Sequence, residues 1–153
     1  MDEPLLQLLL VLRRRWLAEG LQPCAPASDE SMREFEERNC IRLSNAMRSY
    51  FGVVNGIGPD QLDGLARLWP LTEVRRLPEV YPSALPDAGR LLVFGDYNIE
   101  GSYWALWLSL GEPACEEHVL ALWPSSNEKV YQVATNSEEF FRQYVGVSPE
   151  SVI

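Results

Sequence analysis

The side chains with the most chemistry to offer are gathered in the block Cys115-Glu116-Glu117-His118. A cysteine and a histidine three apart could form half of a metal site. The other half would have to come from Cys24 and Cys40, which lie far away along the chain. Nucleophilic use of Cys115 with His118 as its base is the weaker reading. A strand or turn at that spacing does not bring the imidazole to the sulfur, and no third group is evident to orient it. His118 is also the only histidine. Asp96 and Glu100 are two carboxylates beside one turn, a candidate acid–base or metal pair, but turns favour acidic residues for backbone reasons alone. The chain has no Gly-rich dinucleotide loop, no phosphate-binding loop and no nucleophile elbow. The reading is therefore of no catalytic set, no metal site and no cofactor. The alternative from a different class is a small metal-dependent or cysteine hydrolase built on Cys115, His118, Asp96 or Glu100.

The elements around these residues read as strands. Residues 90–95, 102–110, 118–123 and 129–134 are four β-type runs, separated by turn signals at 98–101, 111–113 and 124–127. The connections are too short for helical crossovers, so the spacing predicts an antiparallel meander. Along the second run, Ser102, Trp104, Leu106 and Leu108 point one way, and Tyr103, Ala105 and Trp107 the other. Both faces carry aromatic mass. One must meet helices; the other is either a partner surface or lies under the N-terminal helix or the loop at 78–89.

Helices come first in the chain. Residues 4–20 read as a helix with one apolar stripe at Leu5, Leu8, Leu9, Leu12 and Trp16 and a second at Leu6, Leu10 and Leu17. Such a helix is buried on two sides or meets a partner. Arg13-Arg14-Arg15 reads as a solvated face. A loop at 22–27 contains Pro23 and Pro26. Ser28 then caps a helix running to about Asn39 that buries Met32 and Phe35. Ser44 caps another, with Met47, Tyr50, Phe51 and Val54 on one face and Asn55-Gly56 as its stop. A Gly/Pro-rich loop follows at 57–64, then a short apolar stretch at 65–71, a single helical turn capped by Thr72, and a loop at 78–89. The closing helix starts near Asn136 or Ser137 and carries Phe140, Phe141, Tyr144 and Val145. Helices, then strands, then one helix predicts an α+β domain, with an antiparallel β-meander sheet packed against the N-terminal helices and the closing C-terminal helix.

The chain has 153 residues and a net charge of -9, with 22 acidic against 13 basic side chains. One domain spanning 1–153 is expected, with residues 1–22 as an extra N-terminal helix. The charge disfavours nucleic acid and anionic membranes as partners and suits a basic protein. The Leu-rich run is too short to span a bilayer, and the acidic residues before it are the wrong sign for a signal peptide. Three cysteines without CxxC spacing fit a reducing compartment, so a cytoplasmic protein is expected.

The order of motifs resembles a known superfamily. The run from Ser28 to Leu43, "SDESMREFEERNCIRL", is similar to the opening helix of the SUKH superfamily, of the Smi/Knr cell-wall-regulator type. Leu43-Ser44 stands where that pattern has Leu-Pro, and Asn55-Gly56 matches its Asn-Gly stop. Val93-Phe94-Gly95-Asp96 through Gly101 to Leu106 resembles the family's hairpin, and Ser137-Glu138-Glu139-Phe140 its closing helix. The resemblance covers 26–146. The run Tyr103-Trp104-Ala105-Leu106-Trp107 is heavier in aromatics than the family pattern. The resemblance implies a non-enzymatic α+β domain. Bacterial members look like immunity proteins that neutralise a cognate toxin, often a nuclease. Fungal members, acting in cell-wall signalling, suggest the alternative of a regulatory or scaffold module. For a small acidic chain the bacterial type fits better, with a basic toxin domain as partner. The expected binding surface is Asp96, Tyr97, Glu100, Tyr103 and Trp107.

Overall fold

A computed structural model describes residues 3–125 and 127–153. Three of the expected helices are set by side-chain caps. Ser28 Oγ accepts from Ser31 N at 3.0 Å and opens α2 (Asp29–Asn39). Ser44 Oγ accepts from Met47 N at 3.2 Å and opens α3 (Asn45–Val53), and Asn136 Oδ1 accepts from Glu139 N at 2.8 Å and opens α5 (Ser137–Gly146). Each cap satisfies an amide that the first turn leaves without a carbonyl. The α3 helix ends where Asn55 and Gly56 take left-handed φ values of 53° and 69°. A Cβ on Gly56 would lie 2.5 Å from the backbone of Trp69 and Pro70, so only glycine fits there.

Among the described residues the sheet has six strands: β1 (Ala66–Leu68), β2 (Arg75–Arg76), β3 (Leu91–Tyr97), β4 (Ser102–Leu108), β5 (Glu116–Trp123) and β6 (Lys129–Ala134). Its order is β1-β3-β4-β5-β6, with β2 on the same side of β3 as β1, and these named pairings are all antiparallel. The expected meander is therefore β3 to β6. Strands β1 and β2 are additions. They pair Leu68 with Gly95 and Arg75 with Val93, covering the edge of β3. A register shift between Val93 and Gly95 leaves Phe94 as an extra residue on β3. Gly95 allows close approach here, because a Cβ would lie 2.9 Å from the Trp104 ring and 3.0 Å from the Arg67 carbonyl.

One face of the sheet carries the helices. Phe94 meets Phe140 at 5.1 Å, Trp104 meets Phe140 at 5.4 Å, and Tyr50 of α3 stacks on Phe141 of α5 at 4.9 Å between centroids. Phe35, Phe51, Phe94 and Phe140 fall in one buried core, as their positions on apolar faces require. The first helix, α1 (Glu3–Ala18), joins that core through Leu5, Leu9, Leu12 and Trp16, all 2% exposed or less. Its second stripe is not buried: Leu6 and Leu10 are half-buried and Leu17 is exposed. The helix is thus covered on one side only.

The opposite face of the sheet is covered by the segment read as a loop at 78–89. That segment overlaps the short helix α4 (Leu77–Val80) at its start and a 3-10 turn at Ala88–Arg90 at its end. Tyr81 stacks on Tyr103 at 5.7 Å. Glu128 holds the segment down by accepting from Tyr81 OH at 2.6 Å, Ser83 Oγ at 2.7 Å and Ala84 N at 2.7 Å. At Thr72, where a helical turn was expected, the chain makes a non-helical turn into β2. Among the described residues no helix is long and apolar enough to cross a membrane.

A candidate partner-binding site at the β3–β4 turn

The turn between β3 and β4 is built from Asn98, Ile99 and Glu100, with φ values of 58°, 51° and 63°. Three consecutive non-glycine residues in the left-handed region cost roughly 1 kcal/mol or more each. Ile99 is the most unfavourable of them, because it is β-branched. Three bonds hold the turn: Glu100 N donates to Asp96 Oδ1 at 3.2 Å, Asn98 N donates to the Leu65 carbonyl at 2.8 Å, and Gly101 N donates to the Asn98 carbonyl at 3.1 Å. The outcome is an isoleucine 74% exposed at the tip, beside an exposed Leu65.

Asp96 lies beneath this tip and is 4% exposed. Its Oδ2 accepts from Trp69 Nε1 at 2.7 Å and lies 3.8 Å from Arg67 Nε. Arg67 is itself buried. Its guanidinium donates to Glu73 at 2.6 and 3.2 Å and to the Ile57 carbonyl at 2.9 Å. Tyr103 is buried between Tyr81 and the edge of Trp69. Burial, and then the carboxylates of Glu100 and Asp96, push its hydroxyl up to about 12. Asp96 and Tyr103 therefore support the turn from inside and do not present surface.

The other expected residues are placed differently. Glu100 is exposed at the turn. Tyr97 turns towards the C-terminal segment, where its hydroxyl donates to Glu150 at 3.5 Å and its ring lies 6.2 Å from Trp104. Trp107 is at the other end of β4, opposite Leu91. The Arg90 guanidinium sits 4.1 Å above its ring, and His118 stacks on it at 6.0 Å. The structure thus brings Asp96, Glu100 and Tyr103 together, sets Tyr97 beside them, and separates Trp107.

The turn forms one wall of a groove of about 380 Å³, whose other wall is the loop at 57–64. Pro59, Leu62 and Ile99 give it apolar sides, Asp60 and Glu100 stand on its rim, and the Asp96–Arg67 pair lies against it. The sequence reading did not single out Ile99. The available signal was an isoleucine in a turn whose geometry calls for glycine or asparagine. Leu62 gave no signal, because only the fold carries its loop to the hairpin.

The block at 115–118 does not converge on one centre. Cys115 is exposed, with its thiol near the Pro113 carbonyl, and His118 is stacked on Trp107. Between them, Glu116 accepts from Ser44 Oγ at 2.6 Å and from Ser137 N at 2.8 Å. Cys24, Cys40 and Cys115 are free thiols. Among the described residues no group of three or more His, Cys, Asp and Glu side chains could hold a metal ion.

A family model described as the SMI1 / KNR4 family (SUKH-1) matches residues 26–143. No curated protein matches the chain. The matched span runs from the loop before α2 into α5 and contains the whole sheet and the turn.

Proposed function

The chain belongs to the SMI1 / KNR4 family (SUKH-1), and on that premise we propose that it is a non-enzymatic protein-binding domain acting as an immunity protein. Its partner is a basic toxin domain, of which a nuclease is the leading type, and its place of action is the cytoplasm. Residues 1–153 act as one unit, with α1 added to the family core. The observation that carries this reading is the turn itself: an exposed isoleucine, held in an unfavourable conformation and flanked by carboxylates, on a chain of net charge -9. Strain at an exposed apolar tip has no use in stability and is the kind of feature that recognition sites retain. The acidic field speeds encounter with a basic partner, and the apolar tip supplies contact once docked.

In this reading Glu100 contacts the partner directly. Asp96 and Tyr103 fix the turn from beneath, and Tyr97 flanks it. Trp107, at the opposite end of β4, lies outside the surface. The test is functional. The protein is immobilised and exposed to an extract of its native cells, and whatever it retains is expressed alone and then together with it. A retained basic protein that is toxic alone and harmless in co-expression is the expected result. A retained protein that is harmless alone, or whose toxicity persists in co-expression, overturns the proposal.

A further inference from the structure

Resting on the reading of a basic protein partner, we propose that the groove between the loop at 57–64 and the β3–β4 turn is the seat of one arginine or lysine side chain of that partner. Charge sets the sign of the occupant. Asp60 and Glu100 are exposed on the groove, and the buried Asp96–Arg67 pair lies at its base. The Arg67 guanidinium is already matched by Glu73, Asp96 and the Ile57 carbonyl, so a cationic head meets the net negative charge of Asp60 and Glu100 and an anion is repelled.

The walls set its shape. A small cation would gain nothing from Pro59, Leu62 and Ile99, whereas the methylene stem of arginine or lysine packs along apolar surface while its head reaches carboxylates. The volume of about 380 Å³ accommodates one long side chain. The groove is also fixed in advance. The bonds from Asn98 N to Leu65 and from Glu100 N to Asp96 hold the Ile99 wall in place, so little ordering accompanies binding. The acids along α2 lack this arrangement: the hollow among Glu30, Glu34 and Glu37 is lined otherwise only by Arg33 and has no apolar wall.

The probe is a tetra-arginine peptide, titrated into the isotopically labelled full chain at low salt and followed by amide chemical shifts. A neutral tetra-citrulline peptide of the same shape is the control. Shifts are expected to cluster at Asp60, Leu62, Ile99 and Glu100, with tetra-citrulline producing none. The double variant D60N/E100Q weakens binding about fivefold, as the loss of two partly exposed ion pairs does. E30Q/E34Q removes the same charge from α2 and leaves binding within about twofold. I99S weakens binding without unfolding the protein, because the side chain is exposed. All of these positions lie on the surface, so unfolding does not confound the comparison. Shifts that concentrate on α2, equal loss in both charge variants, or equal binding of tetra-citrulline overturn the inference. A chain that suppresses a toxin but does not seat tetra-arginine here loses this inference and keeps the proposed function. One that seats the peptide but suppresses no toxin loses the function and keeps the groove.

Discussion

The carboxylate of Asp63 accepts the indole N–H of Trp16 at 2.9 Å, and this bond ties α1 to the family core. The same oxygen accepts from Tyr144 OH at 2.9 Å and from Arg15 Nη2 at 3.3 Å. One buried carboxylate thus joins α1, the loop at 57–64 and α5. The helix lies outside the span matched by the family model, yet its Leu5, Leu9, Leu12 and Trp16 are as buried as the residues within it. The loop that Asp63 fixes is also the loop that carries Pro59, Asp60 and Leu62 into the groove.

Asp63→Ala leaves the Trp16 and Tyr144 donors buried without an acceptor. Each such group costs about 1–3 kcal/mol, so a total loss of about 3–5 kcal/mol is expected in urea unfolding. Removal of residues 1–19 exposes the core face under α1 and is expected to yield no soluble folded protein. A truncated chain with unchanged unfolding midpoint would show that α1 is dispensable.

Glu116 joins the starts of α3 and α5. It accepts from Ser44 Oγ at 2.6 Å, Ser137 N at 2.8 Å and Ser137 Oγ at 2.9 Å, and its charge lies near two helix N-termini. Glu116→Ala is expected to cost about 2–3 kcal/mol, and Glu116→Gln about half that, because the amide keeps one acceptor but loses the charge. Equal losses in the two variants would show that the charge contributes nothing.

Ile99 gives the opposite sign. Replacement by asparagine, which tolerates the left-handed region, relieves strain at a site 74% exposed. A gain of about 0.5–1 kcal/mol is expected, together with weaker binding of the partner. Thermal unfolding and partner titration on the same variant measure the two effects. A destabilised Ile99→Asn would mean that the isoleucine contributes to the fold.

Phe94→Ala removes the ring that meets Phe140 at 5.1 Å and Phe141 at 6.4 Å. The expected cost is about 3–5 kcal/mol, from lost transfer energy and the cavity left behind. A loss below about 1 kcal/mol would place Phe94 outside the cooperative core.

Alkaline pH tests the covered face of the sheet. Burial and then the hydrogen bond to Glu128 push Tyr81 up to about 12, and burial and then Glu100 push Tyr103 up to about 12. Both values are raised above the usual 10. The stability these groups contribute is therefore complete below about pH 10 and is lost as pH rises towards 12. Unfolding midpoints should fall across that window, and the fall should be shallower in Tyr103→Phe. Glu128 has the opposite sign. Hydrogen bonds from Tyr81, Ala84 N and Ser83 lower its pKa, so its contribution is present above the usual carboxylate value of 4.5 and fades as pH falls below it. Glu128→Gln should flatten the acid limb of the stability curve.

Much of the fold was legible because its signals are local. Ser28, Ser44 and Asn136 cap helices through bonds to amides three residues on, and Asn55-Gly56 stops α3 by backbone conformation alone. The β3–β6 meander follows from two-residue alternation and turn residues. The charge and the family pattern were likewise written in the sequence. The short strands were not. A strand of three residues, Ala66–Leu68, has no period to read, and it exists because the open edge of β3 offers it hydrogen-bond partners.

The same division runs through the candidate site. Composition and spacing marked Asp96, Tyr97, Glu100, Tyr103 and Trp107 as polar and aromatic residues near one hairpin, but not which of them reach solvent. Tertiary structure decided that. Tyr81 and Trp69, from segments earlier in the chain, bury Tyr103, and Trp69 Nε1 draws Asp96 inward. The extended length of β4 carries Trp107 away from the turn, and the loop anchored at Asp63 brings Leu62 and Asp60 to Ile99. Helix caps and strand periods are fixed by neighbours a few residues apart. Exposure depends on what the rest of the chain packs over a residue, so the sequence specified the elements and their order, and only long-range packing decided which side chains remain at the surface.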